Sequence, residues 1–390
     1  MRAPANIHAD VRWTLAAVYA VTVLARTMVI ALIPVLAYQV LGTAQRVSEM
    51  YLIASLFGIA VSIALPRILH RVGRELLLAG AALSGIASAF ALSLGNTAGL
   101  VAGLVLHVLM VLTFENVMSL YVMQHVPRRA LAGFEPLRIF LAGMSYGAGP
   151  WLGVALAESF AAGLPLAISA GCAVAAPFLL ALLLTRTRAV AFGPAIAIPK
   201  GADLLRFWAQ PRLRLAWLLT TIRAAWWAMY VVYVPIFAIR YGLGASVGGA
   251  LVSLGSTFLL LAPLWGRLAR RTGIRPLLLA SYGMCGLCTI LVALLAARSA
   301  YAAAAMLMAA ALAMSAIDGM GNVTFLRAVR AHQRTSMTPI FTTYRDVGQV
   351  AAAGLFAVLL LFLPLAAVFA AAGVALLFGA ALCRYLPRRF

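Results

Sequence analysis

Acidic residues are scarce in this chain: nine Asp and Glu in 390 positions, against 30 Lys and Arg, of which only Lys200 is lysine. Charged residues make up 10 %, whereas soluble domains carry about 25 %. Hydrophobic residues reach 65 % and mean hydropathy is +1.03. A water-soluble fold cannot hide that much apolar surface, so lipid is the expected solvent for much of it. Cysteine is also rare. Cys172, Cys285, Cys288 and Cys383 lie in or at the ends of apolar segments without metal-ligand spacing, which predicts small apolar packing and no metal site. There is no nucleotide-binding loop and no hydrolytic constellation. This excludes enzyme chemistry, predicts no cofactor, and leaves an ion gradient or the substrate gradient as the energy source. The first dozen residues, MRAPANIHADVR, are too polar for a signal peptide.

What is abundant is long apolar stretches. A helix needs about 20 such residues to cross the hydrocarbon. Twelve segments qualify: 12–38, 47–66, 75–95, 98–121, 132–157, 163–184, 212–239, 246–266, 275–296, 299–325, 337–360 and 364–386. The basic residues fall in alternate gaps. With the N-terminus inside, 23 of the 30 are cytoplasmic, and the outside gaps hold only Arg46, Arg240 and Arg298. This placement predicts that both termini are cytoplasmic. A net charge of +21 would suggest nucleic acid on a soluble domain, but flanking apolar spans it reads as a topology signal, and no nucleic-acid partner is expected.

The chain echoes itself at an offset near 200 residues. PRILHRVGREL at 66–76 and GRLARRTGIRP at 266–276 each follow the second span of a half. Pro34 matches Pro235, and Glu115 in the fourth span matches Asp318 in the tenth. The expected fold is therefore an all-α polytopic membrane protein of twelve transmembrane helices in two pseudo-symmetric six-helix bundles. Residues 1–184 and 212–390 form the bundles, joined by a cytoplasmic linker at 185–211.

On these loops the chain resembles the major facilitator superfamily over essentially its whole length. Members share a G-x-L-x-D-R-x-G-R loop after the second span, weakly repeated after the eighth. The later copy keeps Gly266, Leu268, Arg271, Gly273 and Arg275, with Arg270 where the acid is expected. The earlier copy keeps Arg71, Gly73 and Arg74, with Pro66, Ile68 and His70 replacing the Gly, Leu and Asp. The segment GMSYGAGPWLG, containing Gly147 and Pro150, is similar to a G-x-x-x-G-P-x-x-G signature of exporter-type members. His107 lies about where many drug–proton antiporters carry Arg, so that further mark is missing. The resemblance implies a cavity lined by the first, fourth, seventh and tenth helices. It also implies gating contacts among His70, Arg71, Gly73, Arg74, Glu135, Arg138, Gly147, Pro150, Gly266, Arg270, Arg271, Arg345 and Asp346.

The four cavity helices carry Arg26, His107, Glu115, Arg223 and Asp318. An ionisable side chain facing lipid costs about 3 kcal/mol or more, so such groups are expected to face protein or a water-filled cleft. Glu115 is the first candidate for proton coupling, with Asp318 as its pseudo-symmetric partner. A static acid–Arg pair is the alternative. Arg26 either grips an anionic part of a substrate or serves as counter-ion to Glu115, and Arg223 either joins it or snorkels outward. Asn116, Asn322, Tyr19, Trp227 and Tyr230 are candidates for the substrate lining, the aromatics favouring an organic molecule with an apolar body. Glu75 is placed to suit the N-terminal dipole of the third span.

The leading expectation is proton-coupled efflux of a small amphiphilic organic compound by alternating access. Uptake or exchange of an organic anion on Arg26 and Arg223 is one alternative. A non-transporting receptor or scaffold is another. The Ala-, Gly- and Arg-rich composition points to a bacterial cytoplasmic membrane, and a monomer suffices.

Overall fold

The computed structural model describes residues 5–126, 131–187, 201–330 and 333–387. Every regular element among them is helical. Twelve helices are long and apolar enough to cross a membrane: Trp13–Leu41, Ala44–Leu65, Arg74–Ser93, Thr97–Val122, Leu137–Ser159, Gly163–Leu182, Pro211–Arg240, Ala245–Thr272, Ile274–Leu295, Ala300–Ala328, Ser336–Phe362 and Ala366–Cys383. They are the first to twelfth spans below. Backbone polar groups have no water to bond in hydrocarbon, so spans close their hydrogen bonds internally, which is what helices do.

Two compact units result. The first comprises Met1–Gly42 and Ile53–Ala195, the second Thr43–Leu52 and Ile196–Phe390. The first turns of the second span thus cluster with the C-terminal half: Ser48 hydrogen-bonds the Tyr233 hydroxyl, and Leu52 lies beside Gly354. The expected division placed the whole second span in residues 1–184, and most of the expected linker, 188–200, lies outside the described residues.

Within each unit the neighbours follow one scheme. The first span packs on the fifth and sixth, and the third on the fourth and sixth. In the second unit the seventh packs on the eleventh and twelfth, and the ninth on the tenth and twelfth. The turns repeat as well. Gly42 after the first span and Gly242 after the seventh have φ of 75° and 78°, and Gly73 and Gly273 have 84° and 91°. These are left-handed values that glycine adopts without penalty, so the repeat spacing is written into the backbone. The fourth and tenth spans start alike: Asn96 Oδ1 accepts from the Gly99 amide at 2.7 Å, and Ser299 Oγ from the Ala302 amide at 3.2 Å. Glu75 falls in the first turn of the third span, where the dipole favours it, but Gly73 caps that helix without a side-chain bond.

Several spans break where sequence dictates. The first pauses at Ala31, three residues before Pro34, whose missing amide leaves the Ile30 carbonyl without its helical donor. The tenth pauses at Gly321 and Asn322, immediately after Asp318. The GMSYGAGPWLG segment brings helices close: a Cβ on Gly153 would collide with the Met28 carbonyl, and one on Gly149 with Thr27. Gly348 stands in the same relation to the seventh span, at Thr221 and Ala224. Small residues allow backbones this near because nothing protrudes between them. Gly153→Ala is expected to push the first and fifth spans apart and destabilise the protein by about 1–3 kcal/mol, read as a lowered thermal midpoint in detergent. An unchanged midpoint would contradict that contact.

Candidate functional site: paired charge clusters on repeated helices

The first and fourth spans bring Arg26 and Glu115 together, with Arg26 Nη1 2.8 Å from Glu115 Oε1. The side chains remain partly exposed, at 26 % and 29 %. The fifth span adds Tyr146, whose ring centroid is 5.9 Å from the Arg26 guanidinium. His107, two turns before Glu115 on the same span, is buried.

The second unit repeats the arrangement. Arg223 Nη1 on the seventh span lies 3.2 Å from Asp318 Oδ1 on the tenth. Tyr344, which opens the long helix of the eleventh span, sits 5.4 Å under the Arg223 guanidinium, and Arg223 Nη2 donates to its hydroxyl at 3.2 Å. The offsets are 197 for the arginines, 203 for the acids and 198 for the tyrosines. An arginine, an acid and a tyrosine therefore come from the first, fourth and fifth helices of each half. Contact with an acid and with a ring compensates what burial takes from each guanidinium.

The copies differ in one respect that matters. Trp227 donates its indole N–H to Asp318 Oδ2 at 2.6 Å, so each Asp318 oxygen has its own donor. Position 30, the counterpart of Trp227 at the repeat offset, is isoleucine. The second cluster is also drier, with Arg223 10 % and Asp318 21 % exposed. Gly321 makes room for it, since a Cβ there would occupy the place of Arg223 Nη1. A cavity of about 10 Å³ borders Arg223, Thr220, Tyr282 and Gly321, room for one water at most and far too small for an organic substrate.

The other expected lining residues fare unequally. Tyr230 is fully buried, stacks on Trp226 at 4.8 Å and donates its hydroxyl to the Leu251 carbonyl at 2.7 Å. It is a packing residue, in place of the lining role its helical spacing suggested. Trp226 is packed too, donating to Thr289 Oγ1 at 3.1 Å. Trp227, half-buried, stays beside Asp318. Asn116 is exposed, and its amide turns back to the Leu112 carbonyl of its own helix at 2.8 Å. Asn322 is exposed at the break of the tenth span. Tyr19, half-buried, lies under the Arg138 guanidinium at 4.8 Å, a contact between the first and fifth spans.

Among the remaining expected residues, Arg74 reaches over the Tyr121 ring at 5.9 Å. Arg71 is exposed, and Arg270 and Arg271 are exposed in the last turn before Gly273, where the helix dipole favours cations. Gly266 sits one turn earlier. Gly147 is half-buried and Pro150 buried. Arg345 and Asp346 follow Tyr344 in the first turn of their helix, Asp346 at the end where negative charge is favoured. The side chains of His70 and Glu135 lie outside the described residues. Sequence reasoning missed Tyr146, Tyr344 and Gly321. Applying to the tyrosines the offset that pairs Glu115 with Asp318 would have found the first two. Among the described residues no group of three or more His, Cys, Asp or Glu could hold a metal ion.

Twelve spans in a twofold repeat, with partly buried ion pairs at equivalent places, fit a membrane transporter. The Major Facilitator Superfamily matches residues 15–353, and the chain belongs to it. Solved structures with the same fold include a bacterial homologue of the iron transporter ferroportin in an inward-facing state, 14 % identical over 97 % of this chain and 99 % of that one, with a TM-score of 0.76. The nucleoside transporter NupG is 13 % identical over 97 % and 100 %, at 0.75. The peptide transporter POT in complex with sulfate is 14 % identical over 96 % and 94 %, at 0.74. Comparison with curated protein sequences gives no match.

Proposed function

We propose that this member of the superfamily is a proton-coupled secondary transporter that exports a small amphiphilic organic compound by alternating access. The observation that carries the reading is the duplicated cluster, Arg26, Glu115 and Tyr146 against Arg223, Asp318 and Tyr344. A carboxylate paired with an arginine is a two-state element. Protonating Glu115 removes the charge that holds Arg26, and deprotonation restores it. The partial exposure of the Arg26–Glu115 pair gives a proton a route in, and Trp227 beside Asp318 offers an aromatic surface to an apolar substrate body. The likeness of GMSYGAGPWLG to exporter-type members supports the outward direction.

Both arginines are engaged by acids, which disfavours reading them as a standing anion site. The alternation of Arg-rich and Arg-poor gaps supports a bacterial cytoplasmic membrane with both termini inside. In proteoliposomes, flux of a candidate amphiphile out of its loaded compartment is expected to follow an imposed pH gradient and to stop when a protonophore removes it. Flux indifferent to the gradient would overturn the proton coupling.

A further inference from the structure

A short helix, Gly201–Ala209, precedes the seventh span and does not cross the membrane. It is unlike the spans, which are apolar on most sides. Phe207 is fully buried in a cluster with Leu213, Phe325 and Phe341, which fixes the helix to the ends of the seventh, tenth and eleventh spans. Leu204, Leu205 and Trp208, at spacings of three and four residues, form a neighbouring strip that is 47 %, 75 % and 42 % exposed. Arg206, 69 % exposed, points the other way, with Asp203 at 4.0 Å. Trp208 packs edge-on against Trp217 at 5.2 Å.

The helix ends at Ala209 and the seventh span begins at Pro211, so this strip lies at the level where that span enters the membrane. Arg206, Arg212, Arg214, Arg327 and Arg330 are all exposed around it, and Asp203 is the one acid on the helix. The first turn of the seventh span contains no acid to balance Arg212 and Arg214. A strip of Leu and Trp beside clustered Arg is the make-up of a helix lying in the headgroup boundary, with rings and aliphatic chains towards the acyl region and guanidinium groups on phosphates.

We propose that the helix Gly201–Ala209, with Arg206, Arg212 and Arg214, is a binding surface for anionic phospholipid in the leaflet that borders this end of the seventh span. Full-length protein, purified in detergent and incubated with equal phosphatidylglycerol and phosphatidylcholine, is expected to retain the anionic lipid selectively, as read by native mass spectrometry. Retention is expected to fall about fivefold for each charge removed in the series Arg206→Gln, Arg212→Gln and Arg214→Gln, and to weaken with salt. Inorganic phosphate at the lipid's concentration is expected not to displace it. As a second measurement, brominated phosphatidylglycerol is expected to quench the parent protein more than the Trp208→Phe protein. Equal retention of the two lipids, unchanged retention in folded Arg→Gln proteins, displacement by phosphate, or quenching unaffected by Trp208→Phe would each overturn the assignment.

Discussion

Arg223→Leu is expected to destabilise the protein more than the double change Arg223→Leu with Asp318→Asn. The single change leaves the Asp318 carboxylate, 21 % exposed, with its Oδ1 facing no cation and only the Trp227 indole on Oδ2. Removing one partner of a fully buried pair costs about 3–5 kcal/mol, because the other charge remains desolvated. Partial exposure reduces that figure, and about 2 kcal/mol is expected here as the coupling in a double-mutant cycle. Thermal unfolding in detergent would register a coupling of that size as a shift of about 2–3 °C in the midpoint. The Arg26–Glu115 cycle is expected to give a smaller coupling, since that pair is 26 % and 29 % exposed. Additive effects at Arg223 and Asp318 would mean that the 3.2 Å contact contributes nothing to holding the seventh and tenth spans together.

The second large effect concerns coupling. Glu115→Gln keeps an oxygen that can accept from Arg26 Nη1 and removes the group that changes charge. The variant is expected to fold, to exchange substrate across the membrane down its gradient, and to lose accumulation driven by a pH gradient. Asp318→Asn is expected to behave differently. Its Oδ2 accepts from the Trp227 indole and its Oδ1 faces Arg223, so a proton taken up there competes with two donors already in place. If Asp318 is the fixed member of the duplicated pair, its amide variant retains pH-driven accumulation. Undiminished accumulation by Glu115→Gln protein would transfer the proton site elsewhere, and loss in both variants would make the two clusters equal partners.

The architecture was readable because membrane solvent leaves few choices. Twelve apolar runs and the Arg-rich gaps between them define the spans to within a few residues, and the PRILHRVGREL and GRLARRTGIRP loops reveal the repeat. Glu115 and Asp318 stood out because an acid among apolar residues is costly wherever it lies, and their pairing followed from the offset. What could not be read was rotation about each helix axis. The seventh span carries aromatic rings on several sides, so its three- and four-residue spacings did not separate buried Tyr230 from Trp227, which reaches Asp318. Nor could spacing show that Asn116 bonds its own helix, because that choice is made by a rotamer. The contact of Ser48 with Tyr233, 185 positions away, likewise has no local signature.

The matched glycines at 42 and 242, and at 73 and 273, carry a practical corollary. Since both halves turn at the same places and present Arg, acid and Tyr from equivalent helices, every substitution made in one has a ready comparator in the other within the same polypeptide. A phenotype appearing at only one member of such a couple reports division of labour. Harm that both members inflict equally reports shared scaffolding.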